Sequence, residues 1–210
     1  MPASQRTTAP PPATVSDRAS LTERRKAQTR MEIARHALRL FTSQGVTATT
    51  GEQIAEAAGV SLRTLWRYFP TKEGCVRPIL ETGLADAERR LRELPLGRPL
   101  ADAWADDGPA SSVDMDAALD LVRLTGTEPG IQAVWLQVHH DAIPVLASAL
   151  AHRHGTRPDT VDNQVHAGMV NIALALTVER YARAAPGRRR NLNRSVREAL
   201  TIAEAGIPRR

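Results

Sequence analysis

The chain has 210 residues, 42% of them hydrophobic and 24% charged, with a formal net charge of +5, one cysteine and only seven aromatic side chains. Such a balance is that of a folded chain with one sizeable domain, or a small domain on a larger body, and argues against wholesale disorder. Cys75 alone cannot form an intramolecular disulfide, no Cys/His spacing suggests zinc, and no run reaches the roughly 18 to 20 apolar residues of a membrane span, so a cytoplasmic protein without metal, cofactor or membrane partner is expected.

The charge is unevenly placed. Residues 1–80 hold 12 Lys+Arg against 6 Asp+Glu and carry +6, whereas the remainder is close to neutral. A basic front on a neutral body points to a part that binds a polyanion and a part that does something else.

In chain order, residues 1–20 contain four prolines, many Ser, Thr and Ala and no periodic apolar pattern, and read as a disordered tail. From Leu21 the pattern is helical, with Ile33, Ala37, Leu40 and Phe41 on one face and Gly45 as a stop. Thr49 and Thr50 offer caps for a short helix through Ile54, Ala55 and Ala58, ended by Gly59. Ser61 caps a second short helix, Leu62 to Tyr68, which Pro70 stops. Thr71 then caps a connecting helix over 71–93, where Pro78 is expected to bend the interior.

After the break between Pro95 and Pro99, residues 94–210 show no strand-like alternation and read as all-helical. Segments are expected at Leu100 to Ala105, Asp114 to Arg123, Pro129 to Arg153 with a kink or break at Pro144, Pro158 to Ala184, and Leu192 to Ala205. The last two carry apolar stripes, Val161, Val165, Met169, Ile172 and Leu176 on one, Leu192, Val196, Leu200 and Ala203 on the other.

The stretch from Gly51 to Phe69 fits a helix-turn-helix. Two helices crossing through a short turn need a small residue at their contact and glycine at the turn, supplied by Ala55 and Gly59. Ile54, Ala58, Val60 and Leu65 then point inward, leaving Arg63, Thr64, Arg67 and Tyr68 outside. A short helix with that surface suits a DNA major groove, where arginine pairs with a guanine edge and threonine meets a base edge or thymine methyl.

The span from Thr29 to Leu80, with Ala34 to Phe41, Gly45, Thr49-Thr50, Ile54-Ala55, Ala58 to Ser61, Thr64 to Phe69 and Thr71-Lys72-Glu73, resembles the DNA-binding domain of the TetR family of transcriptional regulators. The resemblance implies an all-α protein: a three-helix head over 21–70, the connecting helix, and a helical ligand-binding and dimerisation body over 94–210. It also implies a homodimer on a palindromic operator, usually a repressor released by a small-molecule effector. Carried over by position, Arg63, Trp66, Arg67 and Tyr68 face the operator, Lys72 contacts a phosphate at the start of the connecting helix, and Thr50 is a further phosphate candidate. Trp66 stands where the family usually has tyrosine, exchanging a hydroxyl for an indole N–H, and Leu62 removes a polar contact that some relatives have. The resemblance further implies that the last two helices pair with their symmetry mates, with Ala167, Gly168, Ala173 and Ala175 allowing close approach.

Arg24, Arg25, Lys26 and Arg30 are candidates for further phosphate contacts, and Arg18 with the tail for an arm along the DNA. His139, His140, His152, His154 and His166, with Asp141 and Asp162, invite a metal reading, but neighbouring histidines diverge around a helix and no metal site is expected. For the ligand, Trp104, Trp135, His139, Met169 and Ile172 are the candidate cavity residues, Trp135 and His139 sharing a helix face. No nucleophile elbow, dinucleotide fingerprint or phosphate loop is present to suggest an enzyme.

Overall fold

A computed structural model of the chain describes residues 15–105, 113–184 and 191–206, with side chains from residue 22 onward. All regular structure in these residues is helical: α1 (Val15–Gln44), α2 (Gly51–Ala57), α3 (Leu62–Tyr68), a 3-10 turn (Glu73–Val76), α4 (Arg77–Glu93), a second 3-10 turn (Leu100–Trp104), α5 (Met115–Leu124), α6 (Pro129–His154), α7 (Val161–Arg183) and α8 (Leu192–Ala205). No helix among them is long and apolar enough to cross a membrane.

α1 begins inside the expected tail, at Val15, because the last tail proline is Pro12 and nothing after it stops a helix. The expected tail up to residue 14 lies outside the described residues. α1 ends at Gly45, whose φ of 87° is open to glycine and whose N–H bonds the Phe41 carbonyl at 3.1 Å.

α1, α2, α3 and the first 3-10 turn share one core, with Ile33, Phe41, Ile54, Leu65 and Phe69 buried together. That core does not stop at the head. It continues through Cys75, Val76, Ile79 and Leu80 into Leu121 and Val122 of α5 and Ile131 and Trp135 of α6. A second core lies further along the body, where Leu91 of α4, Trp104, Leu146 and Leu150 of α6, Val170 of α7 and Leu200 of α8 meet.

One expectation about proline is corrected. The connecting segment is a 3-10 turn followed by α4, and Pro78 occupies the first turn of α4 rather than its interior. There the missing N–H is one the helix leaves unpaired anyway, so nothing is bent or broken. Thr71 still caps, but its Oγ1 accepts from Gly74 N at 3.0 Å and opens the 3-10 turn instead of the helix. Pro144 lies within α6, which runs unbroken from Pro129 to His154. Pro144 and His140, whose carbonyl loses its usual donor, are both exposed, so water can satisfy that carbonyl.

The apolar stripes of α7 and α8 also part ways. Val161, Val165, Ile172 and Leu176 are 52–75% exposed and lie on one outer face of α7. The α8 stripe turns inward instead, with Val196, Leu200 and Ala203 buried against the chain's own body. Ala167 and Ala175 are likewise consumed by the chain's own cores, leaving Gly168 open on the outer side.

Candidate nucleic-acid interface and ligand cavity

The helix-turn-helix is held by backbone chemistry that the sequence specifies. Thr50 and Gln53 form a reciprocal capping box at the start of α2: Thr50 Oγ1 accepts from Gln53 N at 3.3 Å and Gln53 Oε1 accepts from Thr50 N at 2.9 Å. α2 closes with Val60 N donating to Ala55 O at 2.9 Å and Gly59 N to Glu56 O at 3.0 Å, with Gly59 at φ 64°. Only a residue without Cβ adopts that conformation freely, so Gly59 sets the crossing of α2 and α3. Ser61 Oγ accepts from Thr64 N at 3.1 Å and starts α3.

α3 buries Leu65 and presents Arg63, Trp66 and Arg67 to solvent. Arg63 and Arg67 are one helical turn apart on that face, and the Arg67 guanidinium lies 5.1 Å above the Tyr68 ring. Tyr68 is half-buried, and Thr64 shares its hydroxyl with Ser61 Oγ at 2.9 Å, so of the expected contact residues these two are partly committed to the fold. The Trp66 indole leans across the start of α2: a Cβ built on Gly51 would stand 2.2 Å from its Cζ2. That approach went unseen in the sequence, although a glycine at the first position of a helix was its available signal. Thr50 is exposed, its hydroxyl oxygen spent on the cap and its O–H still a possible donor to phosphate.

Lys72 is placed differently from expectation. Its Nζ donates to the carbonyls of Val46 at 2.7 Å and Thr49 at 2.9 Å, with Thr47 O at 3.4 Å. The ammonium therefore ties the 3-10 turn to the α1–α2 loop, and its three N–H groups are directed at protein rather than solvent. Of the other basic candidates, Arg24, Arg25 and Lys26 are exposed, whereas Arg30 sits 5.5 Å over Phe69 and 3.6 Å from Glu81. Arg18 lies before the first described side chain.

The body holds a partly open cavity of about 150 Å³ between α4, α5, α6, α7 and α8. Trp104, Trp135 and His139 line it, together with Ile79, Leu84 and Val178. Met169 and Ile172 do not. The face of α7 that carries Ile172 points outward, leaving it 54% exposed, and Met169 reaches α8, its Cε 3.0 Å from where a Cβ on Gly206 would stand. Leu174, Ala175 and Val178 are the α7 residues at the cavity wall.

Polar groups in the cavity are few and fixed. Asp86 and Arg90, both almost fully buried on α4, pair at 2.7 Å. Arg90 also donates to Ala103 O at 3.2 Å and its guanidinium lies 5.9 Å from the Trp104 ring, while Arg89 holds the second Asp86 oxygen at 2.6 Å. On α6, His139 Nδ1 is 2.7 Å from Asn171 Oδ1 of α7, and Asn171 Nδ2 donates to His139 O at 2.8 Å. Trp135 packs edge-on against the imidazole, centroids 4.1 Å apart, and burial pushes the His139 pKa below the ordinary histidine value. Sequence reasoning missed Asp86 and Arg90 as cavity-wall groups, since each sits on an ordinary helical pattern.

The remaining histidines stay apart from this wall. His154 and His166 approach to 6.5 Å between ring centroids, and among the described residues no group of three or more His, Cys, Asp or Glu converges as a metal site would require.

Fold and site together define a helix-turn-helix protein with an all-helical body. The family model for bacterial regulatory proteins of the tetR family matches residues 33–79. The HTH-type transcriptional regulator TcmR of Streptomyces glaucescens is 35% identical over 150 residues, covering 66% of each chain, so the match spans just under two thirds of that relative. The chain belongs to the TetR family. Among solved structures, Thermus thermophilus FadR, a TetR-family repressor in complex with lauroyl-CoA, shares the fold at a TM-score of 0.54 and 24% identity, covering 86% of this chain and 96% of its own. Bacillus subtilis FadR in complex with stearoyl-CoA does so at 0.52 and 16%, covering 85% and 99%.

Proposed function

We propose that the chain is a transcriptional repressor that binds a palindromic operator in the cytoplasm as a homodimer and is released when a small molecule enters the body cavity. The observation that carries this reading is the outer face of α3, where Arg63, Trp66 and Arg67 stand exposed on a helix held by caps at both ends of the turn. Two such heads would reach successive major grooves if the dimer set them about 34 to 36 Å apart. The exposed stripe of Val161, Val165, Ile172 and Leu176 on α7 is the face that a second copy would cover.

Release follows from the core that runs from head to body. Ile79 and Leu80 belong to that core and also line the cavity, so a ligand that moves α4 shifts the head with it. Induction is then a population shift between two dimer geometries, and the ligand needs only to favour the one with mismatched heads. The cavity favours this reading over a DNA-binding protein without effector, and the relatives' being regulators favours it over an enzyme.

Gel-shift binding to DNA flanking the chain's own gene, with and without small molecules, tests the proposal. A shift that weakens steeply with salt is expected, and no shift at low salt would overturn the reading. Arg67→Ala is expected to relax base preference at one operator position by about 1–3 kcal/mol, read from binding to a set of single-base operator variants.

A further inference from the structure

The cavity's polar wall selects a ligand class, an inference that rests on the cavity being the effector site. Asn171 donates its Nδ2 to the His139 carbonyl, which fixes Oδ1 as the group facing the imidazole. A carbonyl oxygen only accepts, so His139 Nδ1 carries the proton and donates. In the neutral ring Nε2 is then an acceptor without a proton. Nε2 has no partner among the described residues, and His139 is part of the cavity lining. Asn171 and the edge-on Trp135 hold the ring from two sides, so this acceptor is positioned before any ligand arrives.

The rest of the wall narrows the choice. Asp86 and Arg90 neutralise one another inside the protein, so a ligand's net charge would find no unpaired countercharge there. Asn193 also lines the cavity, but an amide both donates and accepts and imposes no preference. The remaining surface is aliphatic and tryptophan, and a volume of about 150 Å³ is ring-sized; engineered apolar cavities of about this volume take up benzene.

The geometry points to a neutral, ring-sized apolar effector bearing one hydrogen-bond donor, a hydroxyl on an aromatic ring, which His139 Nε2 accepts. Phenol is the simplest probe and toluene its counterpart of similar size without a donor. An anion would find no unpaired countercharge on these walls.

Calorimetric titration of the full-length protein with phenol and with toluene tests the assignment. Phenol is expected to bind about tenfold more tightly, the discrimination one well-placed hydrogen bond supplies, and His139→Phe to reduce that preference to near one while toluene still binds. A measurement on the unaltered protein guards against a variant that misfolds: the 15N resonance of His139 Nε2 is expected to shift on addition of phenol and not of toluene. Equal affinities with no resonance shift, or no binding of either probe, would overturn the donor assignment. Operator release by a compound without any donor, in the same gel-shift assay, would overturn it while leaving the repressor reading intact; binding of phenol to a protein that shifts no DNA would do the reverse.

Discussion

An α-carbon without a side chain is what lets Trp66 lie where it does. Gly51 opens α2 directly beneath the indole, and the aromatic ring is rigid, so a methyl group there cannot be accommodated by a small rotation. Gly51→Ala is expected to cost about 1–3 kcal/mol and to push Trp66 out of register with Arg63 and Arg67. Trp66→Tyr in the same chain should recover much of that loss, and chemical denaturation of the two single variants and the double variant reads the coupling; strictly additive costs would refute the contact. Lys72 invites a parallel test. Since its ammonium is directed at three loop carbonyls, Lys72→Met should lower head stability by about 1–3 kcal/mol while leaving the slope of DNA affinity against salt unchanged. A slope reduced by about one would restore the phosphate role that its position in the family pattern implies.

At the scale of elements, most boundaries were legible because their signals are local. Thr50, Ser61, Asp114, Thr160 and Asn191 each cap a helix through their own side chains, and Gly45, Gly59 and Gly155 end helices at positive φ. Pro78 misled because proline carries opposite meanings two residues inside a helix and six residues inside it, and the intervening 3-10 turn moved the start of α4 from Thr71 to Arg77. Pro78→Ala is accordingly expected to change stability by less than about 1 kcal/mol, whereas Leu84→Pro in the middle of α4 should cost about 3 kcal/mol or more. Thermal melts of both variants compare them directly. The α8 stripe shows the complementary limit: periodicity says that a face is buried, and only packing says whether the chain itself or a second copy buries it.

The whole molecule makes the division of α7 and α8 a prediction about assembly. Of α7 and α8, α7 is the one whose described residues present an uncovered apolar stripe, so Val165→Glu with Ile172→Glu should convert the proposed dimer into monomers without lowering helix content. Sedimentation velocity together with circular dichroism checks this, and a dimer that survives both charges would move the interface elsewhere. The cavity was half-legible for a related reason. Trp135 and His139 share a face within one helix, which spacing reveals, but Asp86 and Arg90 reach the same space from another helix, which no local pattern encodes.

Cys75 offers one more consequence of the shared core. It lies fully buried where head and body join, its Sγ directed at the Thr71 carbonyl at 3.6 Å, and burial, aided by the charge of Glu73, pushes its pKa up to about 12. The thiolate that would react with an alkylating or oxidising agent is therefore scarce in the closed protein. The only thiol of the chain is thus expected to serve as an internal clock, silent to an alkylating agent while the joint is shut and labelled at the rate at which the joint opens.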